Sequence, residues 1–253
     1  MKYALKIFPI LLLCFILFSC QDNEEPENLL DQVGFEGTLP DGETSSFESN
    51  FEAENTPIVF NFRTDTDGNG TIYQGNVATH LMKIKEPTRG FEIYIRLPEL
   101  KWSDQATSEF NSKFVFEEIY SFDKVKEVLE VGEKKINVID FNYNKEDFGA
   151  VPDFIQVYYV PNGAERPFQS GLYNPFFHEG KYEIPTDNYL RVINQREGTF
   201  INDKGVQKRL LLVEFELKIQ MYEIVNGKGY VFREPLEGKL RMAFREDIPD
   251  WAR

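Results

Sequence analysis

The chain has 253 residues, and its 42 acidic residues outnumber the 28 basic ones, for a formal net charge of −14. An acidic surface repels phosphate backbones, which excludes nucleic acid as an expected partner. The chain is long enough for one large β domain or two small ones, and its 23 Phe and 12 Tyr residues favour strands.

A short apolar segment opens the chain behind two lysines. Lys2 and Lys6 introduce residues 7–18, which are apolar apart from one proline. A membrane-spanning helix needs roughly 20 apolar residues, so this segment is too short to span a bilayer. A basic start, an apolar middle and a small residue before the cut define a secretory signal, and Ser19 is that small residue. The segment therefore predicts a signal peptide over residues 1–19.

The signal ends in the run Leu17-Phe18-Ser19-Cys20, which resembles the lipobox of bacterial lipoproteins. The resemblance implies cleavage before Cys20, a diacylglycerol on its sulfur and an acyl chain on its new amine. Several acyl chains hold a protein on a membrane almost permanently, since each buried methylene contributes about 0.8 kcal/mol. The alternative is an ordinary cleaved signal, in which Cys20 stays unmodified. Because Cys14 leaves with the signal, a lipidated mature chain keeps no cysteine for a disulfide, a metal site or a nucleophile.

The next segment, residues 20–32, is predicted to be an acidic flexible tether. Residues 21–27 are polar or acidic around one proline and include no apolar side chain, a composition typical of solvated chain. The stretch also resembles the acidic signals that send some lipoproteins of two-membrane bacteria to the outer face of the outer membrane. We therefore expect a lipid-anchored protein on the outer membrane that faces the cell exterior. Attachment that faces the periplasm is the alternative.

Period-two alternation recurs along the rest of the chain and is clearest over residues 211–221. Every second residue from Leu211 is apolar, and the residues between them are almost all polar. A strand with one face in a core and the other in water has this pattern. The strand is about twice the usual length, so we expect a bend or bulge in it. The apolar face consists of Leu211, Val213, Phe215, Leu217, Ile219 and Met221.

The whole pattern predicts an all-β fold. Short strands separated by turn residues, without regular βα alternation, predict an antiparallel β-sandwich, immunoglobulin-like or related. At most one short helix is expected, over residues 123–131, whose apolar spacing also fits a strand. We expect one β-sandwich domain over residues 33–253, and two β units that divide near residues 132–135 are the alternative. Further strands are predicted at 58–63, 91–97, 114–120, 136–143, 154–160 and 189–194.

Residues 65–72 resemble the first eight positions of an EF-hand calcium loop. Asp65, Asp67 and Asn69 would offer side-chain oxygens, the hard ligands that calcium prefers. The carbonyl of Thr71 would be a fourth ligand. Position twelve is Asn76 where a bidentate Glu belongs, and the flanks predict strands, so the segment is not an EF-hand. It is either a strand–loop–strand calcium site or a metal-free hairpin turn, since Asp-Gly and Asn-Gly pairs favour turns. No other cofactor is expected.

Residues 161–187 form the longest stretch without periodicity, and loops of this length are usually functional or disordered. We expect the stretch to be ordered, because it is rich in the aromatic residues that disordered segments lack. Exposed rings beside polar groups stack on sugars or dock a protein partner. In the alternative, the rings fold back and cover the sheet. The candidate contact residues are Arg166, Tyr173, Phe176 and Phe177.

No catalytic set is recognisable from the spacing. His80 and His178 lie too far apart in sequence to indicate a metal site. Glu214 and Glu216 share a strand face, an arrangement far commoner on a solvated strand than in a glycosidase. The sequence predicts a membrane-anchored envelope lipoprotein, a non-catalytic binding module on the cell surface. Its partner would be a glycan, a peptide or an envelope protein. A structural or assembly lipoprotein is the second interpretation, and a hydrolase is the third.

Overall fold

The computed structural model describes residues 28–48, 54–65, 72–98, 100–103, 121–136, 154–171, 187–225 and 229–246. A helix, α1 (Phe122–Val128), and a 3-10 helical turn (Leu29–Gln32) lie among the strands. The strands are β1 (Gly34–Thr38), β2 (Thr44–Glu48), β3 (Glu54–Asp65), β4 (Ile72–Lys85), β5 (Glu92–Arg96), β6 (Leu100–Ser103), β7 (Gly132–Glu133), β8 (Gln156–Val160), β9 (Phe168–Gln169), β10 (Tyr189–Ile201), β11 (Gln207–Ile219), β12 (Tyr222–Val225), β13 (Gly229–Phe232) and β14 (Leu236–Arg245).

These strands form two antiparallel sheets with a buried apolar core. The first sheet has the order β2-β1-β14-β11-β10-β7. The second has the order β13-β12-β9-β8-β5-β4-β3, and β6 also pairs with β4. The prediction of an all-β antiparallel sandwich is confirmed, and the immunoglobulin-like variant of it stays a prediction. Strands from both sides of residues 132–135 enter each sheet.

Strand β11 lies at the centre of the first sheet, between β10 and β14. The side chains predicted for its apolar face, from Leu211 to Ile219, are fully buried. The expected irregularity falls on the neighbouring strand, because the β10–β11 register shifts between Val192 and Asn194. A bulge on β10 keeps both long strands paired over their length while the ribbon twists.

The outer face of the first sheet carries rows of alternating charge. One row runs across five strands in register, from Glu36 through Lys239, Glu216 and Arg191 to Glu133. The Arg191 guanidinium lies 3.0 Å from the Glu133 carboxylate and 3.6 Å from that of Glu216. Opposite charges directly across a sheet stabilise the pairing of the strands.

Helix α1 packs on the first sheet with Phe122 and Val125 buried. It begins after Ser121, whose hydroxyl caps the Lys124 amide, so it starts one residue earlier and ends three residues earlier than predicted. The Gln195 side-chain amide of β10 donates to the Lys126 carbonyl at 3.1 Å. The segment that fitted both a helix and a strand is a helix, whose Phe122 ring packs on Phe244 of β14 with ring centroids 6.0 Å apart.

The described chain begins at Asn28 and enters the fold beside the β10–β11 turn. Residues 29–32, which the sequence places at the end of the tether, form a 3-10 turn with Leu29 buried. A Cβ built on Gly198 of β10 would lie 2.7 Å from Leu29 Cδ1, so the two residues are in direct contact. No helix in the described part of the chain is long and apolar enough to cross a membrane.

Candidate functional site

Two of the predicted site residues lie in the described part of the chain. Asp65 is the last residue of β3 and pairs with Ile72 of β4. Arg166 is exposed in the connection between β8 and β9. The other predicted site residues lie outside the described residues: Cys20, Asp67, Asn69, Thr71, Tyr173, Phe176 and Phe177.

The candidate calcium segment joins two antiparallel strands, β3 and β4, as its flanks predict. An EF-hand would have helices there. In the described residues no group of three or more His, Cys, Asp or Glu side chains is placed to hold a metal ion. Calcium binding by Asp65, Asp67, Asn69 and Thr71 therefore stays a prediction.

Chelation tests the calcium prediction. If residues 65–71 hold calcium, EDTA should lower the melting temperature of the wild type, because a ligand bound only to the folded state stabilises it. The Asp67→Ala variant lacks a ligand and should not respond. Thermal unfolding followed by circular dichroism measures both. An equal response of the two proteins, or no response, would contradict the site.

Four connections meet at the end of the sandwich opposite the β10–β11 turn, and we call them the loop cluster. They are residues 39–43 (β1–β2), 86–90 (β4–β5), 161–167 (β8–β9) and 233–235 (β13–β14). Arg89 and Glu43 form an ion pair between the first two connections. The Glu234 amide donates to the Pro40 carbonyl at 3.2 Å, which ties the fourth connection to the first. The cluster therefore joins loops from both sheets.

Glu86 fixes the shape of the β4–β5 connection. Its Oε2 accepts hydrogen bonds from the amides of Thr88 at 2.9 Å and Gly90 at 3.2 Å, and from that of Arg89. The side chain is buried. A buried carboxylate is tolerated only where hydrogen bonds replace its water, and this one captures three backbone donors of a single turn.

Three buried aromatic rings, those of Phe91, Tyr159 and Phe168, pack beneath the loop cluster. Tyr159 lies between Phe91 and Phe168, with ring centroids 5.5 Å and 5.7 Å away. The guanidinium of Arg89 lies 4.9 Å above the Phe91 ring, and that of Arg233 lies 5.1 Å above the Phe168 ring. Cation–π contacts of this kind hold the two arginines in place at the surface. Phe168 belongs to the aromatic stretch 161–187. Its ring is buried, as expected in the alternative in which the rings of that stretch fold back and cover the sheet.

Tyr159 also bonds to the first connection. Its hydroxyl donates to Asp41 Oδ2 at 3.2 Å. Burial, and then the charge of Asp41, raise the pKa of the Tyr159 phenol well above its usual range. The phenol therefore stays protonated at physiological pH and acts as a hydrogen-bond donor.

The exposed groups of the loop cluster are carboxylates, guanidinium groups and amides. Such groups form ion pairs and hydrogen bonds with a partner, and rigid loops on a β scaffold commonly present them. The rings of Phe91, Tyr159 and Phe168 are buried and offer no open face for stacking. The exposed set is Asp41, Glu43, Asn162, Glu165, Arg166, Arg233 and Glu234.

Sequence reasoning found Arg166 and missed the rest of the loop cluster. Glu86, Arg89 and Arg233 carry little local signal, because single charged residues beside a proline or glycine are common in turns. The usable signal was the break in alternation at Glu86-Pro87-Thr88-Arg89-Gly90 between two predicted strands. That break locates a turn but does not show which other turns lie beside it.

Replacement of Glu86 by alanine should destabilise the protein by about 2 kcal/mol, because the amides of Thr88 and Arg89 would lose their acceptor and that of Gly90 would keep only the Glu86 carbonyl. Urea unfolding measures the loss. Glu234→Ala is the matched control, since Glu234 is exposed at the same end and should change stability by about 0.5 kcal/mol or less. Similar losses in the two variants would show that Glu86 does not organise the turn.

Comparison with protein families, curated proteins and solved structures found no match to this chain. The function has to be inferred from the loop cluster and from the segment that precedes the fold.

Proposed function

We propose that the protein is a lipid-anchored envelope lipoprotein, a non-catalytic binding module whose loop cluster contacts a protein partner on the outer side of the outer membrane. One observation carries this proposal: the chain enters the sandwich at the end opposite the loop cluster. Leu29 contacts Gly198 near the β10–β11 turn. Strand β11 extends 13 residues from that turn to the other end, a distance of roughly 40 Å.

This arrangement matters because Cys20 is the proposed site of lipidation. An anchor at Cys20 holds the Asn28 end of the sandwich towards the membrane and leaves the loop cluster on the far side. Loops at the far end of a rigid sandwich are the part of such a protein that a partner reaches first. The acidic tether at residues 21–27 supports export to the outer face, in line with the resemblance described above.

The chemistry of the loop cluster favours a protein or peptide partner. A sugar ring binds by stacking on an open aromatic face, whereas Phe91, Tyr159 and Phe168 are covered. The exposed carboxylates and arginines suit a polar protein surface, where Arg contributes strongly to recognition. Glycan binding rests on Tyr173, Phe176 and Phe177 and is the weaker alternative.

A pull-down from the native envelope tests the proposal. The full-length lipidated protein is extracted in mild detergent, and the proteins that co-purify are identified by mass spectrometry. We expect an envelope protein to co-purify with the wild type and to be lost with Arg166→Glu, which reverses an exposed charge in the loop cluster.

Lys124→Glu is the matched control for this experiment. It makes the same charge reversal on α1, near the β10–β11 turn, where Asp123 pairs with Arg209 at 2.9 Å. We expect it to retain the partner. Recovery of the wild type alone, or equal retention by both variants, would contradict a binding role for the loop cluster.

A further inference from the structure

The turn between β10 and β11 is closed by its own hydrogen bonds. Asn202 is buried, and its Oδ1 accepts hydrogen bonds from the amides of Lys204 at 3.1 Å and Val206 at 2.9 Å. The Asn202 amide donates to the Val206 carbonyl at 3.0 Å, and the Gly205 amide donates to the Asn202 carbonyl at 2.8 Å. These bonds define the backbone conformation of the turn.

Two apolar side chains project from this turn into solvent. Ile201 is 65 % exposed, the highest value for a large apolar side chain in the described residues, and Val206 is 48 % exposed. They stand on the two limbs of one hairpin and, because Ile201 pairs with Gln207, on opposite faces of it, so a surface that meets the tip of the hairpin end-on can contact both. The ionisable residues of the turn are Asp203, Lys204 and Lys208. Their formal charges sum to +1, whereas the whole chain has a formal net charge of −14.

The turn also lies where the chain enters the fold. Leu29 contacts Gly198, and Arg196 of β10 is hydrogen-bonded to Gln32. Asn202, the first residue after β10, is four residues farther along the chain and roughly 13 Å from Gly198. The chain from Cys20 to Asn28 spans at most roughly 29 Å when fully extended. A lipid on Cys20 therefore keeps the hairpin turn close to the membrane surface.

From these observations we infer that the β10–β11 turn is a second membrane contact, which places Ile201 and Val206 at the boundary between the headgroups and the acyl chains of the leaflet that holds the Cys20 anchor. The inference rests on the proposed lipidation of Cys20. Apolar side chains flanked by lysines are the chemistry of interfacial membrane contacts, and the positive charge favours anionic headgroups. Two such side chains bind a membrane weakly by themselves. Tethering raises their effective concentration at the surface into the millimolar range, where a weak contact becomes populated.

The contact would have a consequence for the loop cluster. A lipid tether alone keeps the Asn28 end of the sandwich nearer the membrane but leaves its tilt free. A second contact at the hairpin turn makes the long axis of β11 point away from the bilayer. The loop cluster is then held on the side that faces away from the membrane. The same lipoprotein without the contact would present its loop cluster over a wider range of tilts.

A fluorescent probe tests the contact. Because the mature lipoprotein has no other free thiol, Val206→Cys can be labelled at one site with an environment-sensitive dye. The labelled, full-length lipidated protein is reconstituted in phosphatidylcholine–phosphatidylglycerol vesicles, with and without bromine on the acyl chains. Val231→Cys is the matched control, since Val231 is also exposed but lies on β13 beside the loop cluster. We expect several-fold quenching by brominated lipid at position 206 and none at position 231.

The other outcomes are distinguishable. If the protein floats with the vesicles and neither label is quenched, the hairpin contact is refuted and the lipid anchor stands. Equal quenching at both positions also refutes it, because the orientation would then be random. If the wild-type protein does not float with vesicles at all, the proposed lipidation fails, and this inference fails with it.

Discussion

Replacement of Cys20 by alanine should move the protein from the membrane fraction to the soluble fraction. The proposed anchor is carried on the Cys20 sulfur and amine, and alanine offers no sulfur for the diacylglycerol. Fractionation of cells followed by an alkaline carbonate wash, with detection by immunoblot, measures the change.

Cys14→Ala provides the control for that experiment. Cys14 lies within the predicted signal peptide and leaves with it, so this variant should stay on the membrane. Retention of Cys20→Ala on carbonate-washed membranes would refute lipid anchoring through this residue.

A substitution at Gly238 should have the largest effect on stability. Gly238 of β14 lies directly opposite Gly37 of β1. Its φ is +150°, and a Cβ built there would lie 2.1 Å from the Glu36 carbonyl oxygen. Both strands would have to separate to admit a methyl group, so we expect Gly238→Ala to lower the free energy of unfolding by about 3 kcal/mol. Urea unfolding followed by circular dichroism gives the value.

Gly163→Ala separates crowding from backbone strain. Gly163 also has a left-handed φ, +73°, but a Cβ there would meet nothing within 4 Å. Its replacement should cost only about 1–2 kcal/mol, the strain of a left-handed alanine. Equal losses at Gly163 and Gly238 would contradict the close approach of β1 and β14.

The fold class was predictable because it depends on local pattern. The alternation in β11 identified the buried face of the central strand of the first sheet, and the structure buries that face. The polar face was equally informative, since Glu214 and Glu216 lie opposite Arg241 and Lys239 on β14. Period-two patterns report which side of a strand meets the core, and nearly every strand of a sandwich has one such side.

The order of the strands was not predictable in the same way. Strand β1 pairs with β14, some 200 residues later in the chain, and neither strand carries a local mark of its partner. The start of the fold also escaped prediction. Leu29 is one apolar residue after a polar stretch, and only its contact with Gly198 shows that it belongs to the domain.

Only part of the loop cluster could be predicted from the sequence. Arg166 was singled out because it lies in a long aperiodic stretch. Glu43, Glu86 and Arg233 come from three other connections that are distant in sequence, and only the two-sheet topology brings them to one end. A buried carboxylate such as Glu86 looks like any solvated turn residue until its three amide partners are seen.

The mass of the intact protein purified from native membranes bears on lipid anchoring more directly than any other result. We expect a chain that begins at Cys20 and carries the added mass of a diacylglycerol and an amide-linked acyl chain, with both modifications on the N-terminal proteolytic fragment. A chain that begins at any other residue, or an unmodified Cys20, would contradict the proposal that this sandwich is a membrane-anchored lipoprotein.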